Sequence, residues 1–250
     1  FYMVAGELAR SLGPIIIVSA VSWWGLEGTY RLIPAGLIAS FILFFRLRKF
    51  KHIEVKTKKI DISVRELLLE LKGFYLNITG YTFARGLLKA LLVTFLPTYY
   101  VSQGESLWYA AYTLSILQFA GAVGSFFAGG ISDRIGRRET LILIAIITPV
   151  LMLFFVLTSG WLNMVILIFI GLFIFGSGPV LLAFVQDMSV ERPSFNNGVF
   201  MTISFAFGAF ATLFIGFLAD FIGLEKSFML SPLFALIAIP FAFRLKNKSR

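Results

Sequence analysis

Apolar residues in this chain fall in long runs rather than in alternation. Eight such runs stand out, at roughly 2–22, 31–46, 71–97, 107–131, 140–158, 162–184, 198–219 and 227–243. Each is near the ~20 residues that cross about 30 Å of hydrocarbon. Backbone N–H and C=O groups in lipid must be satisfied within their own segment, so the runs predict membrane helices, spans A to H. Polar residues collect in the connections. The longest, B–C, is basic, and its stretch from Ile60 to Leu71 predicts an amphipathic segment on the inner membrane surface.

Charge supports the spans and orients them. Of 250 residues, 58% are hydrophobic and only 14% charged, where a soluble domain carries about a quarter. Lysine and arginine crowd one side: Arg46 to Lys72 in the B–C loop, Arg134, Arg137 and Arg138 between D and E, Arg192 between F and G, and Arg244 to Arg250 in the tail. The other side has Arg31 and Lys226. The positive-inside rule puts the crowded side, and both chain ends, in the cytoplasm. Trp23, Trp24, Tyr99, Tyr100, Trp108 and Trp161 then form an outer aromatic belt. The net charge of +9 reflects these loops, so no nucleic-acid partner is expected. With no cysteine and one histidine, His52, no thiolate or histidine metal cluster is possible, and no metal or cofactor is expected. No G-x-S-x-G elbow or phosphate loop points to an enzyme. The chain opens on apolar Phe1-Tyr2-Met3-Val4, as if cut inside a membrane helix.

One connection stands apart. Gly129, Asp133, Arg134, Gly136, Arg137 and Arg138 form G-x-x-x-D-R-x-G-R-R between spans D and E. Gly129 would let helices approach closely, Gly136 would take a turn, and the arginines would sit among headgroups. Gly216, Asp220 and Gly223 repeat the pattern 87 residues later without the arginines. The first copy follows the second helix of C-D-E, the second that of F-G-H. Three is odd, so the copies lie on opposite faces of an inverted three-plus-three repeat.

This loop and its repeat resemble the major facilitator superfamily of secondary transporters. The resemblance implies an all-α polytopic membrane protein with the major facilitator fold, of which eight helices, five to twelve of twelve, are present. Residues 1–46 would be the last two helices of the N-terminal bundle, 47–70 a basic linker, and 71–250 the C-terminal six-helix bundle. Gly6 to Pro14, with Gly13 and Pro14, is similar to the helix-five motif of drug antiporters, with Ala9 replacing a glycine. Gln186-Asp187 to Gly198, Phe205 to Gly208 and Gly216 to Asp220 are similar to the fosmidomycin-resistance branch. That implies proton-driven export of a small organic, in one version anionic, compound from the bacterial or archaeal cell membrane by a monomer. Uptake of a sugar or organic anion on the same fold is the alternative; a channel or membrane enzyme is the rival from another class.

Several polar residues inside the spans are candidate machinery. Asn77, Tyr81, Arg85 and Lys89 recur every four residues along C as one slowly drifting stripe. Charge at that depth costs about 2.5–3.5 kcal/mol, so Arg85 and Lys89 are expected to face a wet cavity or a partner. The stripe is expected to line the central cavity, with Arg85 binding an anion or a coupling acid. The alternative is interhelical bonding. Gln118, beside Tyr112 and Ser115, would touch substrate or a facing helix. Glu7 and Arg10 would pair with each other, or Glu7 would latch onto Arg134 or Arg137. Gly121, Ser125 and Gly129 on D, and Ser204, Gly208, Thr212 and Gly216 on G, mark close packing, and Gly176-Ser177-Gly178-Pro179 a bend in F. The sequence lacks cysteine, so Asp133→Cys gives a single reporter. It should react with a membrane-impermeant maleimide only from the cytoplasmic side; labelling from outside would invert the topology.

Overall fold

The computed structural model describes residues 2–48, 72–188 and 193–245, with backbone alone at 2–5 and 193–194. The expected linker and its amphipathic stretch lie outside the described residues. Every regular element among them is helical. Span A is α1 (Tyr2–Trp24); span B is a 3-10 turn (Glu27–Leu32) running into α2 (Ile33–Leu47). Span C is α3 (Lys72–Lys89), a π-helical turn (Ala90–Phe95) and α4 (Leu96–Ser102). Spans D, E, F and G are α5 (Leu107–Ile135), α6 (Arg137–Leu157), α7 (Trp161–Met188) and α8 (Pro193–Ile222). Span H is α9 (Leu224–Met229), α10 (Ser231–Leu236) and α11 (Ala238–Arg244). Spans B and D to H are long and apolar enough to cross a membrane. Spans A and C are as long, but Glu7, Arg10, Arg85 and Lys89 lower their hydropathy.

The chain forms two compact units, residues 1–15 with 72–250, and residues 16–71. In the smaller unit α2 buries no side chain, and the Arg31 guanidinium lies 5.6 Å from the centre of the Trp24 ring. The larger unit holds two apolar cores. One lies toward the Tyr100 end, around Leu91, Leu96, Leu117, Met152, Leu167 and Phe228. The other lies toward the basic loops, around Ile78, Leu141, Val180, Phe184 and Ala242.

Glycine sets how closely α5 and α7 meet. A Cβ on Gly124 would fall 2.1 Å from the Leu172 carbonyl oxygen, and one on Gly171 2.4 Å from that of Leu117. Both obstacles are backbone and cannot swing aside. Gly121 lies against the Phe175 ring. Gly129, expected to be the contact point, has nothing within 4 Å of its Cβ position. The small-residue stripe of α5 is therefore used at its centre and not at its loop end.

The two copies of the repeated motif share one backbone conformation. Gly136, between α5 and α6, has φ 104° and ψ 142°; Gly223, between α8 and α9, has φ 91° and ψ 152°. Only glycine occupies that region without strain. Each is a one-residue turn between two membrane helices, so at its third position the sequence match is also a match of geometry. Tyr100 departs from the expected belt. It is 7% exposed and donates from its hydroxyl to Asn163 Oδ1, whereas Trp23 and Trp161 stay exposed. Asn163 in turn donates to the carbonyls of Phe155 (2.8 Å) and Thr158 (3.0 Å), tying the α6–α7 turn to span C. Gly136→Ala and Gly223→Ala should each lose about 1–3 kcal/mol of stability, read as a fall in thermal midpoint in detergent. Gly130→Ala, with open space at its Cβ position, should change the midpoint little or raise it.

Candidate functional site

The two cores are separated by a polar layer. On α3 the lower core ends at Ala84 and the upper begins at Leu87; on α7 the break covers residues 176–179, and on α6 it holds Thr148 and Pro149. Arg85 crosses this layer. Its Nε donates to the Ile174 carbonyl at 3.2 Å, and a Cβ on Gly178 would lie 2.8 Å from its Nη2. Glycine at 178 thus leaves the space the guanidinium uses. Pro179 lacks an N–H, which orphans the Phe175 carbonyl four residues back. Ser125 Oγ of α5 supplies the missing donor at 3.2 Å. The expected bend motif is therefore built into a continuous α7, satisfied from two neighbouring helices. A cavity of about 20 Å³ lies in the layer, lined by Tyr81, Arg85, Thr148 and Ser177 among others. It is room for one water molecule among polar groups.

The polar stripe on α3 meets three helices. A spacing of four residues advances the helix about 40° beyond a full turn, so the stripe drifts about 120° from Asn77 to Lys89. Asn77 Nδ2 donates to the Arg244 carbonyl of α11 at 3.4 Å, and the Tyr81 hydroxyl to Leu141 of α6 at 3.3 Å. Arg85 reaches Ile174 of α7. Lys89 ends over the Phe175 ring of α7, 4.6 Å from its centroid. Asn77 and Tyr81 bond helix to helix, the alternative left open by their spacing, and Tyr81 also lines the small cavity. Among the described residues the Lys89 ammonium has no hydrogen bond or ion pair.

Glu7 and Arg10 adopt the local pair. Arg10 Nη1 lies 3.1 Å from Glu7 Oε1. Glu7 is 13% exposed, and its Oε2 is buried without a partner. Its carboxylate lies within electrostatic reach of both Arg85 and Lys89. One turn along, Ser11, Leu12 and Ile15 line a cavity of about 530 Å³ against α5 and α7. Its other walls are apolar, apart from Tyr112 and Ser115. Gln118 is 4% exposed and lies off this wall, to which its neighbours Tyr112 and Ser115 belong.

At the basic end two of the three motif arginines, Arg137 and Arg138, tie helix ends of the larger unit together. Arg137 pairs with Asp133 at 3.0 Å and with Asp187 at the end of α7, and bonds Ser132 Oγ at 3.3 Å. Arg138 donates to the Leu245 and Phe243 carbonyls, closing the end of α11. The Glu7–Arg137 pair is not formed here: Arg137 is taken by Asp133 and Asp187, and Glu7 adopts the local pair with Arg10. Asp133 and Arg134 are exposed, as is Asp220 in the second copy. Gly13 has open space at its Cβ position, and Pro14 sits within α1. Ser125, Thr148, Phe175 and Asp187 were not assigned these roles from sequence. The orphaned carbonyl four residues before Pro179 was the available signal for the first.

Comparison with known proteins gives the fold a family. Residues 1–211 match the model of the Major Facilitator Superfamily. No curated protein matches the chain. Among solved structures, the chain is similar to FucP, a Major Facilitator Superfamily transporter in the outward conformation. The TM-score is 0.62 at 19% identity, over 86% of this chain and 54% of FucP. It is also similar to a point variant of the Escherichia coli fucose:proton symporter FucP. There the TM-score is 0.66 at 17% identity, over 85% of this chain and 55% of the symporter. The chain thus spans about half the length of the structures it matches. With the paired helix turns, the mid-depth charges and a family match over most of its length, the chain belongs to the Major Facilitator Superfamily.

Proposed function

We propose that this chain works in a secondary active transporter that carries a small organic compound across the cell membrane by alternating access, coupled to protons. The observation that carries the reading is the set of charges at mid-depth. Arg85 and Lys89 on α3 stand within electrostatic reach of Glu7 on α1, and the next turn of α1 lines a cavity large enough for a metabolite-sized solute. Ionised groups in that position are costly unless they serve a pathway or a partner. The Glu7 carboxylate keeps one buried oxygen without a hydrogen-bond partner among the described residues.

The direction we propose is efflux by proton antiport, on the helix-five-like segment ending in Gly13 and Pro14. Symport uptake is the second reading, favoured by one observation: a similar solved structure is a fucose:proton symporter. In both readings the Arg137–Asp133–Asp187 cluster fastens the basic end of the bundle, and the helices pivot about the mid-level cavity.

Everted vesicles separate the directions. In an antiporter, adding substrate to acid-loaded everted vesicles releases protons; in a symporter, substrate and protons enter the same compartment. Downhill conduction with no proton movement would instead indicate a channel. Arg85→Ala should reduce transport to background while insertion into the membrane persists, as read by the amount of protein in washed membranes. Normal transport by that variant would remove Arg85 from the mechanism.

A further inference from the structure

Two neighbouring helices of the larger unit carry a proline in their interior, Pro149 in α6 and Pro179 in α7. Each removes the N–H that the carbonyl four residues back would accept. In α7 that carbonyl belongs to Phe175, and Ser125 Oγ supplies a donor at 3.2 Å. In α6 it belongs to Ala145, and among the described residues no side chain donates to it. Ala145 is 3% exposed. A carbonyl left unmatched at that depth is costly, and ordered water is one of the few remedies in a membrane.

The small cavity of the polar layer lies against this gap. Ala145 and Thr148 of α6 line it with Tyr81 and Arg85 of α3 and Ser177 of α7. The three hydroxyls have already placed their hydrogens: Tyr81 donates to the Leu141 carbonyl at 3.3 Å, Thr148 to Ile144 at 2.7 Å and Ser177 to Ile174 at 2.6 Å. Toward the cavity they present lone pairs. Arg85 is the donor. Its Nε is taken by Ile174, while Nη1 and Nη2 make no hydrogen bond among the described residues. The lining therefore sets a cationic donor among oxygen acceptors, and a ligand there has to accept on one side and donate on the other. A halide has nothing to donate, and a cation would face the guanidinium. An organic solute needs a pocket of ~300–1,000 Å³. About 20 Å³ suits one water molecule, which both accepts and donates.

We propose that one buried water stands in for the N–H missing at Pro149, donating to the Ala145 carbonyl and accepting from the Arg85 guanidinium. Arg85 then ties α3 to α6 through water and to α7 directly. The assignment is independent of what the chain transports and in which direction. The gap in α7 is closed by a side chain, and the gap in α6 by a partner that can turn. α6 can bend at Pro149 and keep its carbonyl satisfied.

The test uses the full protein in lipid nanodiscs, with the thermal midpoint as readout. Ala238 also lines the cavity, so Ala238→Val fills it and displaces the water. Because that strands the Ala145 carbonyl, the midpoint should fall. Pro149→Ala returns an N–H to Ala145, and in that background the fall caused by Ala238→Val should be about halved. Overpacking alone would cost the same in both backgrounds. A structure that resolves waters should show one at about 2.7–3.2 Å from both Ala145 O and an Arg85 terminal nitrogen. Equal falls in the two backgrounds, a midpoint raised by Ala238→Val as for a dry void, or no density joining Ala145 to Arg85 would overturn the assignment. An anomalous bromide peak in the cavity would overturn it too, by making the ligand an anion.

Discussion

A guanidinium at mid-depth in a membrane helix has to be satisfied by protein, and the arrangement of the larger unit follows from how Arg85 meets that demand. Water is scarce there and every lost hydrogen bond is costly. The Arg85 Nε takes the Ile174 carbonyl, beside a stretch of α7 with no side chain at 176 or 178 and no N–H at 179. Those same features weaken α7, and Ser125 makes up the loss from the opposite side. The apolar cores divide above and below this level because neither could bury these groups without partners. Interhelical bonds to backbone carbonyls do here what water does in a soluble protein.

Close approach of α5 and α7 is the second condition. Ser125 reaches the orphaned carbonyl only because Gly121, Gly124 and Gly171 let the two backbones nearly touch. The same approach brings Phe175 over Gly121 and so sets the ring beneath Lys89. A packing feature thereby places a charge: glycine on α5 positions an aromatic on α7, which holds a cation of α3.

The spans were legible because run length and lipid thickness leave little choice, and the paired turns because glycine at 136 and 223 is read by spacing alone. The directions of side chains were not. Asn77, Tyr81 and Arg85 look like one stripe in sequence, yet a drift of about 40° per step sends them to three different helices. Spacing fixes their relative angle, while the helix met at each angle depends on tertiary packing. Tyr100 fits an aromatic belt by position, and its burial becomes evident only once Asn163 is seen opposite. Gly129 and Gly124 carry equal weight as letters; only the crossing point of α5 and α7 tells them apart.

The inner cluster and the mid-level site answer to different demands, which explains the absent Glu7–Arg137 pair. Arg137 sits where α6 begins and α5 and α7 end, and two carboxylates of the latter pair, Asp133 and Asp187, lie at hand. Exposed pairs of this kind contribute little stability each, but three groups sharing one guanidinium fix the relative positions of the helix ends. Glu7 occupies a drier environment, with one oxygen on Arg10 and the other unmatched. An unmatched carboxylate oxygen near two cations is out of place in a permanent fastening, which would have used it.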